Sequence, residues 1–557
     1  MRTNRQSWAT AIRIALPIEK PIFAASAPPP ISREFDVSGP TAEATTSDRG
    51  SVRSGQITVR CPATGEVVGT VPNLDREDIA AQCADLRRAQ PAWESLGPQG
   101  RSIHLLRWLD WLLDNERRLL TLVQQETGKS WADASMEMSV VVDVINYFAA
   151  NAATFLQDRH VKPAGPANSL RRLRVQVRPH QLVGLITPWN GPLAGPMMDV
   201  VGALTAGAAV ISKPSEVTPL AWSEAVRGWR EEIGAPPVLD VATGTGDAGS
   251  AVVDQADMVM FTGSVRTGRA IAVRCAERLI PCSLELGGKD ALIVLADADL
   301  ERAAGAAVWG GMTNSGQACV GVERVYVEAP VYDEFVELVT GKVSALRQGM
   351  DAPGSFASDI GAMVTTAQVD IVADHVADAV AKGARVLVGG QRGAGNTFQP
   401  TVLVDVDHSM RCMREETFGP TLAIMRVDDE DEAIAMANDS EYGLSSSLWT
   451  RDRARAERLS RRIEAGSVSV NNALVATFQM PVPMGGWKNS GLGARFGGAA
   501  GVLKYCRQQS VVEERFTPRS EPMWYPVNPT RSRLMSRAVR FLGAHDWRRR
   551  LDLRGRR

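Results

Sequence analysis

Three short apolar runs, each delivering a polar loop, constrain the fold most. Leu182-Val183-Gly184-Leu185-Ile186-Thr187 leads into Pro188-Trp189-Asn190. Ala208 to Ser212 leads into Lys213-Pro214-Ser215-Glu216, and Met258-Val259-Met260-Phe261 leads into Thr262-Gly263-Ser264 and then Gly268. Runs this uniformly apolar read as strands buried on both faces, the habit of parallel sheets. Helical segments lie between them, so the expectation is an α/β fold containing a doubly wound nucleotide-binding domain. Ligands of such sheets collect beyond the carboxyl ends of the strands, where these loops lie. No G-x-G-x-x-G is present, and Gly263 and Gly268 are spaced more widely than that motif.

Two further words carry chemistry. Leu284-Glu285-Leu286-Gly287-Gly288-Lys289 places a carboxylate beside two glycines, and Asn314-Ser315-Gly316-Gln317-Ala318-Cys319 places a thiol behind a Ser-Gly turn. A nucleophile and a base distant in sequence suit covalent catalysis once the fold joins them. Most free cysteines are small buried hydrophobes, and a lone Glu is ordinarily a cap or a surface charge. Together, however, the two words resemble the catalytic cysteine and general base of the NAD(P)-dependent aldehyde dehydrogenase superfamily. Pro62 to Glu66, Glu126 to Lys129, Glu415 to Pro420, Ser467 to Asn472 and Pro483 to Gly491 also match words of that family. The resemblance covers about residues 57 to 516.

The resemblance implies NAD-dependent oxidation of an aldehyde to a carboxylic acid. Cys319 is then the nucleophile, Glu285 activates the hydrolytic water, and the Asn190 side chain with the Cys319 backbone N–H binds the oxyanion. A relative that acylates coenzyme A usually lacks the base that Glu285 supplies. For the cofactor, Lys213 and Glu216 resemble the residues on the adenosine ribose. Trp189 and Ser264 resemble pyrophosphate-region contacts, Gly263 and Gly268 fit that family's variant of the Rossmann fold, Glu416 and Phe418 resemble the pair on the nicotinamide ribose and ring, and the resemblance adds Leu286 to the cofactor-binding residues. A carboxylate accepts from a ribose 2′-OH and repels a 2′-phosphate, so Glu216 favours NAD, with NADP as the alternative.

Two departures stand out. Many relatives carry a glutamate two positions after the glycine matching Gly493; here that residue is Arg495. Gly191, Gly195 and Met198 stand where bulky side chains are common. The expectation is a roomy site for bulky apolar or aryl aldehydes. Succinate semialdehyde is the rival substrate, and a catalytically silent binding or structural protein on the same scaffold is the rival of another class.

The resemblance divides the chain into a cofactor domain (56–160 and 180–288), a catalytic domain (289–488) and small oligomerisation strands (161–179 and 505–516), implying a homodimer or homotetramer. Residues 1–55, with the Pro28-Pro29-Pro30 run, read as a disordered extension or the product of a misplaced start codon, with an organelle-type targeting peptide as the lesser reading. Helical periodicity is expected from Asp75 to Arg88 and from Arg101 to Glu126. The tail, 517–557, alternates arginines with apolar residues, as a basic amphipathic helix on an anionic membrane would. The bland reading is a solvated helix or a subunit-contact arm, with membrane attachment the lesser one.

A net charge of −1 argues against nucleic acid as the main partner. Seven scattered cysteines and six dispersed histidines suggest reduced cytoplasmic thiols and no metal site. No apolar run reads as long enough to span a membrane.

Overall fold

The computed structural model describes residues 55–164, 168, 170–521 and 524–551. The extension expected over 1–55 thus lies, but for its last residue, outside the described residues.

The three apolar runs form the middle of a six-stranded sheet. Leu182–Ile186, Ala209–Lys213 and Met258–Thr262 are buried at every position. The first pairs in parallel with both others. Leu239–Val241 and Cys282–Glu285 extend the sheet in parallel, and Gly491–Leu492 closes one edge antiparallel to Cys282–Glu285. Numbered along the chain, the strands lie in the spatial order 3-2-1-4-5-6. The order therefore reverses between Leu182–Ile186 and Met258–Thr262, and a crevice opens at their carboxyl ends.

The helices behind this sheet lock on tryptophans. Trp108 meets Trp222 and Trp229 edge-on, at centroid distances of 6.1 and 5.3 Å, and Trp229 meets Trp93 at 5.6 Å. Each buried indole N–H finds an acceptor; Trp108 donates to the Ala225 carbonyl and Trp222 to Ser212 Oγ. These bonds satisfy the one polar atom that burial would otherwise penalise.

Two helix boundaries differ from the periodicity. The single helix expected from Arg101 to Glu126 is two, Gly97–Asp114 and Glu116–Thr127. They break at Asn115, whose side-chain amide and backbone N–H both donate to the Trp111 carbonyl. This local bond competes with continuation of the helix. The helix expected to stop at Arg88 runs from Arg76 to Ser95, through Pro91, and buries Trp93. Contrary to the expectation that no run is long enough, the helix Trp131–Phe155 is long and apolar enough to cross a membrane. It packs against Gly97–Asp114, Glu116–Thr127 and Ala194–Ala206 and buries Asp133 and Glu137, as a core helix does.

A second, seven-stranded sheet runs Arg385–Val388, Thr401–Val404, Thr421–Val427, Val322–Glu328, Asp290–Val294, Ser445–Trp449, Ser467–Val470. It is parallel except for the edge strand Arg385–Val388. Only Leu286 to Lys289 separate its strand Asp290–Val294 from Cys282–Glu285 of the first sheet. Its neighbour Val322–Glu328 begins three residues after Cys319, with Asp290 opposite Val322. This register brings Glu285 and Cys319 together. A third sheet joins Cys506–Glu514, Arg171–Pro179 and Arg159–Val161, all antiparallel and largely exposed.

Candidate active site

A cavity of about 470 Å³ lies at the crevice between the two larger sheets. Cys319, Glu285, Asn190, Trp189, Gly263, Ser264, Leu286, Glu416 and Phe418 all line it. Lys213, Glu216 and Gly268 do not. The first two stand at the carboxyl end of the strand next to Leu182–Ile186, where Lys213 Nζ donates to Glu216 Oε2 at 2.8 Å.

The turn before Cys319 is held in an unusual backbone conformation. Asn314, Ser315 and Gly316 all have positive φ, at 53°, 56° and 73°. At Gly316 a side chain is excluded twice over, because a Cβ would overlap the Gly419 carbonyl. Hydrogen bonds fix the two non-glycine residues. Asp133 Oδ1 accepts from the Asn314 N–H and the Thr313 hydroxyl, both at 3.0 Å, and the Ser315 hydroxyl donates to the Gly361 carbonyl. Such strain persists only where the surroundings dictate it.

Asn190 is tied to this turn. Its side-chain amide donates to the Gln317 carbonyl at 2.9 Å, and its own carbonyl accepts from Asn314 Nδ2 at 2.9 Å and Lys129 Nζ at 3.1 Å. An amide NH2 carries two hydrogens, so one still points elsewhere. Lys129 is in turn paired with Glu137 at 2.7 Å, and Glu137 accepts from the N–H groups of Leu193 and Ala194. The loop that carries Asn190 is therefore clamped at both ends.

Glu285 is 1% exposed, and its carboxylate faces the Cys319 thiol. Arg495 Nη1 lies 3.2 Å from its Oε2. Burial raises the Glu285 proton affinity above the carboxylate range, and Arg495 opposes that rise. Cys319 is half-buried and free. Burial first, and then the facing Glu285 carboxylate, hold the proton on its sulfur, while Arg495 pulls the other way. The site thus sets a protonated thiol against a desolvated carboxylate, the arrangement in which a base can take a nucleophile's proton.

The residues fit a dinucleotide. The helix Val265–Glu277 starts at the cavity wall, capped by Ser264, whose hydroxyl accepts from the Thr267 N–H, so its positive end faces the space a pyrophosphate would fill. Gly268 lets this helix settle on Leu286, whose side chain a Cβ there would strike. Thr262 Oγ1 is buried at the same wall with no hydrogen-bond partner among the described residues. Across the cavity the Trp189 and Phe418 rings meet edge-on at 5.5 Å. Burial and the neighbouring Glu323 push Glu416 up to about 8. Glu323 also pins the Glu416–Phe418 loop, accepting from the N–H groups of Thr417 and Phe418 while paired with buried Lys289 at 2.5 Å.

The opposite part of the wall is apolar, with Met136, Val140, Met198, Trp309, Leu474 and Phe478. Gly195 opens onto empty space here, for a Cβ would meet no atom within 4 Å.

Sequence reasoning missed Lys129, Asp133, Glu137 and the partners of Arg495. Their side chains act through contacts between distant segments, and no local pattern reveals those. Arg495 itself was visible only as a departure from the expected glutamate.

A model of the aldehyde dehydrogenase family matches residues 50–511. A 4,4'-diapolycopene aldehyde oxidase of Methylomonas sp is 38% identical over 470 residues, 84% of this chain and 87% of that protein. A putative succinate-semialdehyde dehydrogenase of Mycobacterium ulcerans, named for NADP(+), is 37% identical over 472 residues, 83% of this chain and 89% of that protein. Among solved structures, an aldehyde dehydrogenase of Mycobacterium tuberculosis complexed with NAD+ superposes with a TM-score of 0.79 at 36% identity, covering 84% of this chain and 96% of that one.

Proposed function

Because the chain belongs to the aldehyde dehydrogenase family, NAD(P)-dependent enzymes that oxidise aldehydes, we propose that it converts a bulky apolar or aromatic aldehyde to the carboxylic acid through a covalent adduct on Cys319. The observation that carries this reading is the single cavity shared by the thiol, the desolvated carboxylate and the dinucleotide wall.

In this mechanism Glu285 takes the thiol proton as sulfur adds to the carbonyl carbon, giving a thiohemiacetal. The second hydrogen of the Asn190 amide and the Cys319 N–H hold the oxyanion; one such donor is worth about 10²–10³ in rate. The nicotinamide, when bound, is the hydride acceptor. Loss of hydride leaves a thioester on Cys319. Glu285, having released its first proton, then takes one from the water that cleaves the thioester, yielding the acid and the free thiol. Arg495 is a positioning residue that keeps Glu285 ionisable despite its burial.

The apolar wall and the space at Gly195 support a bulky substrate. Succinate semialdehyde is the second reading, favoured by the relatives named for it. Its distal carboxylate needs a cation. Among the described residues lining the cavity, the Lys and Arg are Lys129 and Arg495, and both already hold carboxylates. For the cofactor, the Lys213–Glu216 pair supports NAD over NADP. The three-stranded sheet, with its exposed edges, supports assembly as a homodimer or homotetramer.

The test is NADH formation with aliphatic, aryl and succinic aldehydes. The reading expects the highest kcat/KM with bulky apolar aldehydes, and Cys319→Ala without turnover but with NAD affinity near wild type. A Cys319→Ala enzyme that still turns over overturns the mechanism, and preference for succinate semialdehyde overturns the substrate class.

A further inference from the structure

We propose that the C-terminal helix Pro529–Gly543 docks this enzyme on an anionic lipid surface. The charge distribution comes first. From residue 517 to the end the chain has eleven arginines and three acidic residues, Glu521, Asp546 and Asp552. The rest of the chain holds 51 basic and 60 acidic residues, so an acidic body ends in a basic tail.

The structure adds the second observation. Asn528 caps the helix, its side chain accepting from the N–H groups of Thr530 and Arg531. Leu534, Met535, Ala538, Phe541 and Leu542 recur at the three-to-four residue spacing of one helix face. Arg533, Arg537 and Arg540 recur at the same spacing on the opposite side. Arg531 alone falls on the apolar side, in the first turn, where a long side chain can reach outward. No residue of this helix is buried. Leu534, Phe541 and Leu542 are 68%, 51% and 49% exposed, and Trp547, on the short helix Trp547–Arg550 against which it packs, is 59% exposed.

A face of Leu, Phe and Trp left in water marks an interaction surface. Its arginine border decides the occupant. A polar rim suits a protein contact as well, but a border of one sign, from a tail with eleven arginines against three acidic residues, matches a surface of fixed negative charge, and a bilayer accepts both halves of such a helix. The apolar face enters the acyl boundary while guanidinium groups pair with headgroup phosphates. The occupant is therefore a membrane carrying anionic lipid, and the attachment is peripheral and reversible. This inference is independent of the catalytic reading.

The experiment is co-sedimentation of the full chain with phosphatidylcholine vesicles, with and without phosphatidylglycerol. The bound fraction should be about tenfold higher on the anionic vesicles and should fall as salt rises. Truncation after Phe516 should abolish it, with NADH formation from a water-soluble aldehyde retained as the sign of an intact fold. Leu534→Ser with Phe541→Ser, and separately Arg533→Glu with Arg537→Glu, should each reduce binding several-fold. Sedimentation that ignores lipid charge, or that survives truncation, overturns the proposal. So does absence of vesicle binding with a truncation that changes only the oligomer mass, for the tail is then a subunit arm.

Discussion

Nη1 of Arg495 lies 3.2 Å from Oε2 of Glu285, while Nε of the same guanidinium lies 3.4 Å from Oδ2 of Asp199. One buried cation thus serves two buried carboxylates. Asp199 keeps further partners on its other oxygen, Lys504 Nζ at 3.0 Å and the Tyr505 hydroxyl at 3.3 Å. Arg495 stands where the family resemblance leads to the expectation of a glutamate, so the residue beside Glu285 carries the opposite charge.

The sign of the effect on Glu285 follows. Burial favours the protonated carboxyl and Arg495 favours the ionised one, with burial the larger cause. The base is therefore ionised only above its raised pKa, and hydrolysis is lost as pH falls through it. Removing the guanidinium raises the pKa further. Arg495→Met should move the acid limb of the kcat–pH profile to higher pH and cut kcat near neutrality about tenfold or more. Arg495→Lys should restore part of it. Asp199 keeps Lys504 and Tyr505 in both variants, so the fold is expected to survive. An unmoved acid limb in Arg495→Met removes the role assigned to this arginine.

Glu285→Gln removes the base of both half-reactions. The amide can take a proton neither from the Cys319 thiol nor from water, so the first turnover should slow and any thioester that forms should persist. Raising the pH, which ionises the thiol without Glu285, should restore the first equivalent of reduced cofactor, and the thioester on Cys319 should then appear as added mass on the intact protein. Steady-state turnover within a few-fold of wild type would exclude Glu285 as the hydrolytic base, since general-base removal ordinarily costs about 10²–10⁴.

Cofactor choice rests on a different carboxylate. Glu216 is partly exposed and paired with Lys213 at 2.8 Å. Replacing it by Gln removes the charge that repels a 2′-phosphate but keeps the side-chain length, and it releases Lys213 to meet that phosphate. The ratio of kcat/KM for NADP over NAD should rise about tenfold or more, a change of about 1.4 kcal/mol. A ratio unchanged by Glu216→Gln would place the selectivity elsewhere.

The pocket was legible in the sequence wherever the signal was a side chain in a local word, and illegible where it was a long-range contact. The buried strands at Leu182, Ala209 and Met258 announced themselves because parallel strands are apolar at every position. The strand Leu239–Val241, three residues long, gave no such run. Cys319 and Glu285 were found through their flanking words. Asp199 gave no signal: it lies mid-helix in Ala194–Ala206, and its partners Arg495, Lys504 and Tyr505 lie some three hundred positions away. The break at Asn115 was hidden because the leucine periodicity on its two sides is nearly in phase.

Gly195 tests the substrate wall. A Cβ at this position meets nothing within 4 Å, so the open space is free for substrate. Gly195→Ala should be nearly silent. Gly195→Phe should fill the space and lower kcat/KM for aryl aldehydes about 10–100-fold while sparing a two-carbon aldehyde, in line with about 1–3 kcal/mol for pocket contacts. Equal losses for both substrates would mean that the phenyl ring disturbs the chemistry rather than the pocket.

The turn before the nucleophile provides the sharpest steric test. Gly316 has φ 73°, and a Cβ would overlap the backbone of Gly419 and Pro420. Both sides are fixed: Ser315 is held by the Gly361 and Ala362 carbonyls, and Gly419 follows the loop that Glu323 pins. Gly316→Ala must therefore push Cys319 out of place. A displacement near 1 Å at a reacting atom can cost about 10² in rate. The expected result is a kcat lower by about that factor, with alkylation of Cys319 by iodoacetamide altered in parallel. Gly195→Ala serves as the control glycine, with a free Cβ and no positive φ. If Gly316→Ala matched it in kcat, the strained turn would not be what positions the sulfur.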